Sequence, residues 1–314
     1  MTSNDSRFMS DATRRGVLLG GGALAATAMG GEALAQTMEI VDIHAHIRSD
    51  DLTRYPPLPA VTARGVGGRG TTVEQMLAEM DAAGISKAAV VQLSSFYGPD
   101  NSYLADSMAK SKRLTGVCSI DILAPDAPQV LAGWLKRGIT GLRVYTGGTG
   151  ESNSALLDDP KGFPVWEYCE AHKAPICAQT TPDGLPKLVA MLKRFPKAVV
   201  ILDHGARPKL DAGPPFAEAQ SLFDLAAYPN LSVKVTPPLN AQTRMGKSTP
   251  QAFYAALNKA FGARRIAFGS NLPMTEGPMT KIVEDMKACL AELSPADQAM
   301  IFAGTAKRLY PALA

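Results

Sequence analysis

Three of the four histidines in the 314-residue chain follow apolar, strand-like segments. His44 and His46 alternate near the end of the segment at 38–46, and His204 ends another. Alternate residues of a strand share one face, so the first two imidazoles point to the same side. Such a pair can hold a metal ion or donate hydrogen bonds to a carbonyl oxygen, and both chemistries stay open here. His172 lies in a helix-like segment, where we expect it at the surface or at a helix end.

Two arginines occupy comparable positions. Arg143 and Tyr145 close the apolar segment at 139–145, and Arg207 follows a histidine by three residues. A guanidinium binds carboxylates through paired hydrogen bonds, so these arginines predict an anionic ligand, with an internal ion pair as the alternative for Arg143. Other strand ends carry Gln179, Lys234, Thr236 and Asn271.

The elements that must position these side chains alternate regularly. Helical patterns, for example at 72–84 and 185–195, separate the strand-like segments from residue 38 onward. No glycine-rich turn follows the first strand, so the pattern favours an α/β fold of the closed (β/α)8 TIM-type over an open doubly wound sheet. The carboxyl ends of all strands would then meet at one face. The predicted strands span 38–46, 87–93, 114–120, 139–145, 174–179, 198–204, 231–236 and 265–270.

Residues 1–35 have the composition of an export signal. Paired Arg14 and Arg15 precede a weakly apolar, Gly/Ala-rich stretch that ends in Ala33-Leu34-Ala35. The stretch resembles a bacterial Tat signal and is too short to span a bilayer stably. We therefore expect a periplasmic protein with a single barrel domain over 36–314 and no membrane span after removal of the signal.

Composition and net charge limit the classes of ligand that the chain is expected to bind. A net charge of +3 without a basic cluster argues against nucleic acid as a ligand. The four cysteines lack metal-binding spacing, and we expect Cys118 and Cys177 to be buried thiols, with a disulfide left open. The oligomeric state cannot be read from the chain.

Four motifs, in order, resemble the amidohydrolase superfamily and its amidohydrolase-2 branch. They are DIHAH at 42–46, GLR at 141–143, LDHG at 202–205 and FGSNLP at 268–273. The resemblance implies a TIM-type barrel and, in metal-dependent members, a metal held by histidines and by an aspartate on the last strand.

Two positions depart from that metal-binding pattern. Gln179 and Asn271 stand where ligands are expected, and amide oxygens are poor zinc ligands. We therefore expect no cofactor. The resemblance leaves room for a single divalent metal such as zinc, which would be held by His44, His46 and His204.

Within the branch, the pattern is similar to the 2-pyrone-4,6-dicarboxylate lactonase type, which is metal-independent. The resemblance implies histidines that polarise a lactone carbonyl and arginines that bind carboxylates. The implied catalytic residues are His44, His46, His204 and Asn271. The implied substrate-binding residues are Arg143, Arg207, Tyr55, Tyr145 and Gln179.

These observations favour an exported hydrolase or isomerase of a small anionic lactone. Asn271 cannot accept a proton from water, so hydrolysis requires a histidine base or a weakly bound metal, whereas in an isomerisation Asn271 would orient a hydroxyl group. One alternative is a metal-dependent decarboxylase or hydratase of aromatic or unsaturated acids. Another is a catalytically silent periplasmic barrel that binds a carboxylate.

Overall fold

The computed structural model describes residues 38–63, 70–147 and 153–314. The predicted export signal at 1–35 lies outside the described residues. Within the described ranges, no helix has the length and apolar character needed to cross a membrane.

Parallel strands in chain order form a nearly closed barrel, as the sequence predicts. Each strand pairs in parallel with the next along the chain, from the first to the eighth. Helices between successive strands complete the (β/α)8 architecture. The strands are β1 (Ile40–Ala45), β2 (Ile85–Val91), β3 (Leu114–Ser119), β4 (Ile139–Tyr145), β5 (Ile176–Gln179), β6 (Val200–Leu202), β7 (Leu231–Val235) and β8 (Ile266–Phe268).

The segment that follows β8 joins it to β1. The backbone N–H of Asn271 donates to the carbonyl of His44 at 2.6 Å, and the N–H of His46 donates to the carbonyl of Leu272 at 2.7 Å. Gly269 permits this approach, because a Cβ at that position would lie 2.5 Å from the Cβ of His44. The seam therefore fixes the backbone on both sides of the first imidazole.

The helices pack around the barrel, and the signals that begin and end them are visible in the sequence. Thr72 caps α2 by accepting a hydrogen bond from the N–H of Gln75, and Gly84 ends that helix in the left-handed conformation. The helices are α1 (Pro59–Ala63), α2 (Val73–Ala83), α3 (Ser94–Tyr97), α4 (Ser102–Met108), α5 (Ala127–Leu135), α6 (Phe163–His172), α7 (Leu185–Arg194), α8 (Gln220–Asp224), α9 (Pro237–Thr243), α10 (Pro250–Phe261), α11 (Met279–Cys289), α12 (Pro295–Ala299) and α13 (Thr305–Leu309).

The apolar core has an outer and an inner part. The outer part lies between the strands and the helices. In the inner part, strand residues that face the barrel axis, such as Ile43, Val117 and Ile201, pack with Leu309 and Tyr310 from the C-terminal segment. The barrel interior is therefore filled below the polar groups that its strands carry.

His172 and the cysteines lie where the sequence predicts, whereas His204 does not lie at the end of a strand. His172 is the last residue of α6 and is exposed, as expected of a helix-end residue. Cys118 and Cys177 are buried free thiols, and so are the two other cysteines. Strand β6 ends at Leu202, so His204 lies in the turn after the strand, whereas the sequence places it at the end of a strand running to residue 204.

Candidate active site

Three imidazoles meet at the carboxyl ends of β1 and β6. The ring of His44 lies 4.8 Å from that of His46 and 4.6 Å from that of His204, measured between centroids. All three rings are almost fully buried. The structure therefore brings together the three histidines that the sequence selects as candidates.

The turn after β6 orients one of these rings through an uncommon backbone conformation. Residues His204 to Arg207 all have φ between 53° and 60°. For a residue other than glycine this region costs on the order of 1–2 kcal/mol, so surrounding contacts must hold the turn in place. Nδ1 of His204 lies 2.8 Å from the hydroxyl of Thr236, just after β7, and this hydrogen bond is one such contact.

A buried ion cluster lies against the first imidazole. Nζ of Lys234 is 2.9 Å from Oδ1 of Asp203, an ion-pair contact that is poorly aligned for a hydrogen bond. The same ammonium is 3.1 Å from Nδ1 of His44 and 3.2 Å from Sγ of Cys177. Nε of Arg143 donates to Oδ2 of Asp203 at 3.2 Å. One carboxylate is thus shared by two cations in the barrel interior.

Both members of the central ion pair are charged. Burial acts to raise the pKa of Asp203, but the charges of Lys234 and other neighbours outweigh it and hold this pKa well below its usual range. Burial likewise acts to lower the pKa of Lys234, and the charge of Asp203 outweighs it, so the pKa of the ammonium is raised. A buried charge is tolerated only when it is paired in this way.

The imidazoles, in contrast, are neutral. Burial lowers the pKa of His46 to about 3 and the pKa of His204 to about 3, and it places the pKa of His44 well below its ordinary value. Nδ1 of His46 lies 2.7 Å from the carbonyl oxygen of Val91 and must donate to it, because a carbonyl only accepts. The neutral ring therefore keeps a lone pair on Nε2.

Several buried polar atoms in this region have no hydrogen-bond partner among the described residues. They include Nε2 of His44, Oε1 of Gln179 and Nη1 of Arg207, together with the carboxylate oxygens Oδ2 of Asp42 and Oδ1 of Asp203. Buried polar groups are rarely left unsatisfied in folded proteins, and the exceptions concentrate where a ligand or ordered water completes the set. The ring nitrogen of His44, the amide oxygen of Gln179 and the guanidinium of Arg207 are therefore each able to bind an external partner.

The region favours an anion. Arg143, Arg207 and Lys234 outnumber the buried carboxylates of Asp42 and Asp203. Asp42 accepts hydrogen bonds from the backbone N–H groups of His44 and Ser270, and so it holds the seam between β1 and β8.

A small cavity lies beside Tyr145, at the end of β4. The guanidinium of Arg143 lies over the ring of Tyr145, 5.0 Å from its centroid. Tyr145 also lines a cavity of about 220 Å³ together with Ser94, Ile120, Val144 and Leu156. A ligand bound to the arginines would therefore have a partly apolar space next to it.

Tyr55 and Arg244 form their contacts outside the histidine cluster. The hydroxyl of Tyr55 donates to Asp106 at 2.8 Å, and its ring packs on Tyr103. The structure gives the predicted substrate-binding tyrosine a partner outside the histidine cluster, because the loop after β1 carries it towards α4. Arg244 pairs with Asp285 at 2.6 Å.

Asn271 and Gln179 lie at the barrel mouth as the sequence predicts. Asn271 adopts a left-handed conformation with φ of 56°, and its amide nitrogen donates to the hydroxyl of Thr275 at 3.2 Å. Gln179 ends β5, opposite Tyr145 of β4 in the strand register. Each side chain is almost fully buried.

The sequence places Lys234 at a strand end without predicting a role for it, and it does not select Asp203 as a site residue. Asp203 is part of the LDHG motif, and Lys234 is an isolated lysine within an apolar strand of sequence LSVKV. A lysine inside a buried strand is a usable signal, because such a residue is almost never buried without a partner. The identity of the partner becomes evident only when β6 and β7 are placed side by side.

The residues present do not fit a divalent metal well. Within the ranges that the structure describes, no group of three or more His, Cys, Asp or Glu side chains is arranged to hold a metal ion. The ammonium of Lys234 lies against His44, and the remaining candidate ligands Gln179 and Asn271 are neutral amides. Zinc sites require anionic or imidazole ligands and would be opposed by an adjacent cation.

Comparisons with known proteins show the family of this chain. Residues 41–312 match the sequence model of the family described as Amidohydrolase. An L-fucono-1,5-lactonase from Burkholderia ambifaria is 27% identical over 242 residues, which cover 73% of this chain and 81% of the relative.

Solved structures share the fold at lower identity. A protein from Acinetobacter baumannii, described as a probable 2-pyrone-4,6-dicarboxylic acid hydrolase with citric acid bound, superposes with a TM-score of 0.69 at 19% identity, covering 87% of this chain and 100% of the other. An amidohydrolase from Burkholderia multivorans with bound zinc gives a TM-score of 0.71 at 22% identity, covering 87% and 99%.

Proposed function

Since this chain belongs to the amidohydrolase family, we propose that it hydrolyses a small, carboxylate-bearing lactone without a metal ion. The observation that carries the proposal is the juxtaposition of three neutral, buried imidazoles with an excess of cationic side chains. The lactonase name of the Burkholderia ambifaria relative supports the same reaction class.

The cationic side chains supply the recognition of the anion. Arg207 forms no ion pair within the described part of the chain, and its Nη1 is buried without a partner. Burial lowers the pKa of Arg207, yet the guanidinium remains a cation at any ordinary pH. A substrate carboxylate would satisfy it with a bidentate hydrogen bond. Arg143 lies near enough for its charge to act on the pKa of Arg207, so both cations face the same region.

The imidazoles supply the chemistry of ester cleavage. The lone pair on Nε2 of His46 accepts a proton from water as the water oxygen adds to the lactone carbonyl carbon. Histidine N–H donors stabilise the oxyanion that forms on the carbonyl oxygen. The bond between that carbon and the ring oxygen then breaks. The ring oxygen takes the proton back from the imidazolium of His46, and the product is a hydroxy acid.

His204 can assist either half of this reaction. Its Nδ1 partner is the hydroxyl of Thr236, which can donate a hydrogen bond or accept one. The neutral ring can therefore present a lone pair or an N–H group at Nε2. Such freedom suits a proton carrier between the attacking water and the leaving ring oxygen.

A panel of lactones tests the proposal. We expect the protein to hydrolyse lactones that carry one or two carboxylates, with proton release followed in weakly buffered solution. The matched variant His46→Gln should bind the same lactones but turn them over at least a hundredfold more slowly. Binding without turnover of any lactone would overturn the proposal and support a silent carboxylate-binding barrel.

The role of Asn271 can be separated by a second variant. If His46 is the base, Asn271→Asp should change the rate of hydrolysis by no more than a few fold. A rise of about a hundredfold or more would show that a carboxylate base after β8 is what the native protein lacks, and it would contradict the assignment of His46. Circular dichroism of both proteins controls for folding.

We also propose that the protein works in the periplasm after Tat export, a proposal that depends on residues 1–35 alone. Arg14 and Arg15 followed by the Gly/Ala-rich stretch support it. Fractionation of cells that express the full chain tests it. The native chain should appear in the periplasm and the Arg14→Lys/Arg15→Lys variant in the cytoplasm, whereas equal distribution of both would contradict export.

A further inference from the structure

We infer that Lys234 is a positioning residue that fixes His44 as the Nε2–H tautomer, so that this ring presents a hydrogen-bond donor and not a metal-binding lone pair. The contacts of the Lys234 ammonium group support this assignment. Nζ of Lys234 has three acceptors within reach, namely Nδ1 of His44 at 3.1 Å, Oδ1 of Asp203 at 2.9 Å and Sγ of Cys177 at 3.2 Å.

An ammonium carries three N–H bonds and no lone pair. It can therefore meet Nδ1 of His44 only as a donor, which requires that Nδ1 be unprotonated. The carboxylate of Asp203 is the competing partner for a proton on Nδ1, but its Oδ1 lies 3.6 Å from Nδ1, beyond hydrogen-bond distance. The neutral ring must then carry its proton on Nε2.

The environment keeps this arrangement in place. The side chain of Lys234 is fully buried, and its contacts with His44, Asp203 and Cys177 hold it in one rotamer. On the side away from the ring, Cys177 lies 3.1 Å from the hydroxyl of Tyr310, a residue of the C-terminal segment that fills the barrel. A row of side chains thus extends from the barrel floor to the histidine cluster.

This arrangement places the proton of His44 on Nε2, the ring nitrogen that has no hydrogen-bond partner among the described residues. Nε2 of His44 is buried and forms no hydrogen bond within the described ranges. With a proton fixed there, it is a donor ready for an oxyanion, and the catalytic consequence rests on the proposed lactone hydrolysis. The same proton blocks the lone pair that zinc would need, so the tautomer and the poor fit for a metal share one cause.

The tautomer can be read without any substrate. In ¹⁵N-labelled full-length protein, two- and three-bond proton–nitrogen correlations distinguish a protonated ring nitrogen from an unprotonated one. The chain has four histidines, so single His→Gln substitutions suffice to assign the signals. We expect the wild-type signal of His44 to show a protonated Nε2 and an unprotonated Nδ1.

Removal of the ammonium should reverse the assignment. In Lys234→Met the proton should move to Nδ1, which faces Asp203, and Nε2 should become a lone pair. We then expect kcat for lactone hydrolysis to fall by about 10²–10³, the usual effect of losing one oxyanion donor, with a much smaller change in KM. Tyr254→Phe, which removes a buried hydroxyl that donates to Asn240 and touches none of the contacts of Lys234, is the matched control and should retain the wild-type tautomer and kcat.

Several results would overturn the inference. A wild-type His44 with its proton on Nδ1 would do so even if the Lys234→Met protein fails to fold. Addition of zinc chloride that shifts the Nε2 signal of wild-type His44 would also do so. If the wild-type tautomer is as expected but no lactone is hydrolysed, the proposed function fails while the role of Lys234 in setting the tautomer stands.

Discussion

Two aspartates in this molecule each bridge two cations, and their surroundings could hardly differ more. Asp203 contacts Arg143 at 3.2 Å and Lys234 at 2.9 Å with its side chain fully buried. Asp106, on α4, contacts Arg54 at 3.1 Å and Arg137 at 2.9 Å, with a third of its side chain and more of both arginines exposed.

The comparison shows that burial, and not the number of ion pairs, gives one cluster its functional weight. Water solvates and screens the charges around Asp106, so each pair contributes little and tolerates change. Around Asp203 the charges are buried away from water and interact only with neighbouring protein groups. The positions of the side chains and of the His44 proton are therefore coupled.

The buried cluster should make stability strongly dependent on pH. In the unfolded chain, His44, His46 and His204 bind protons as the pH falls through about 6.5. In the folded protein, burial lowers the pKa of His46 and of His204 to about 3 and places the pKa of His44 well below its ordinary value. The unfolding free energy should therefore decrease between these pH values by about 1.4 kcal/mol per pH unit for each ring. Urea unfolding at several pH values measures the slope.

The control is His46→Gln, which should reduce the slope by about 1.4 kcal/mol per pH unit, the contribution of one ring. Asp203 contributes only at the acidic end of this window. The pKa of its carboxyl is held well below the ordinary value of 3.8, so its stabilisation is present above that pH and is lost only at lower pH. A pH-independent unfolding free energy between neutrality and pH of about 4 would show that the rings are not neutral and buried.

Asp203→Asn should be the most damaging single substitution among the ion pairs. It leaves the buried charges of Lys234 and Arg143 without a counter-charge, for which a loss of about 3–5 kcal/mol of unfolding free energy is expected. Urea unfolding at neutral pH measures the loss. A destabilisation below about 1 kcal/mol, as for a surface pair, would remove the distinction between the two clusters.

Arg207→Gln should affect substrate binding more than stability. The guanidinium is half-buried and has no anionic partner in the described parts of the chain, unlike the arginines around Asp106. Loss of a charged hydrogen bond to the substrate, worth about 1.5–3 kcal/mol, should raise KM for a carboxylated lactone roughly ten- to a hundredfold with little change in kcat. An equal loss on a neutral lactone would contradict carboxylate recognition by Arg207.

Asp106→Asn should have the smallest effect. Both of its ion pairs are exposed, so we expect a loss of about 1 kcal/mol or less, and less still in concentrated salt. Tyr55→Phe, which removes the hydroxyl donor to the same carboxylate, should leave kcat/KM for lactones unchanged. A large loss of activity in Tyr55→Phe would instead return this tyrosine to the substrate-binding site.

The sequence predicts the barrel and the histidine cluster because both follow from local pattern. Apolar segments alternate with helical ones, and the polar residue that ends each segment must reach the same face. Tyr55 shows where this reasoning stops. It lies in a loop, and its partner Asp106 is fifty-one residues away in the chain, so no local pattern predicts the contact.

Asp203 and Lys234 show a second limit. Each is visible in the sequence as a charge beside or within an apolar strand, but their pairing depends on the register of β6 and β7. The left-handed turn from His204 to Arg207 is a third case, since only glycine at 205 is typical of that conformation. Contacts between elements decide these features, and a single chain does not display them.

The most direct test of the account is the rate of lactone hydrolysis by metal-stripped protein. Full-length protein would be treated with a chelator, checked by elemental analysis, and assayed on 2-pyrone-4,6-dicarboxylate and L-fucono-1,5-lactone with and without added zinc. We expect 2-pyrone-4,6-dicarboxylate to be hydrolysed at the same rate before and after chelation, with no activation by zinc, and L-fucono-1,5-lactone, which carries no carboxylate, to be hydrolysed more slowly. Activity that chelation abolishes and zinc restores would contradict the account.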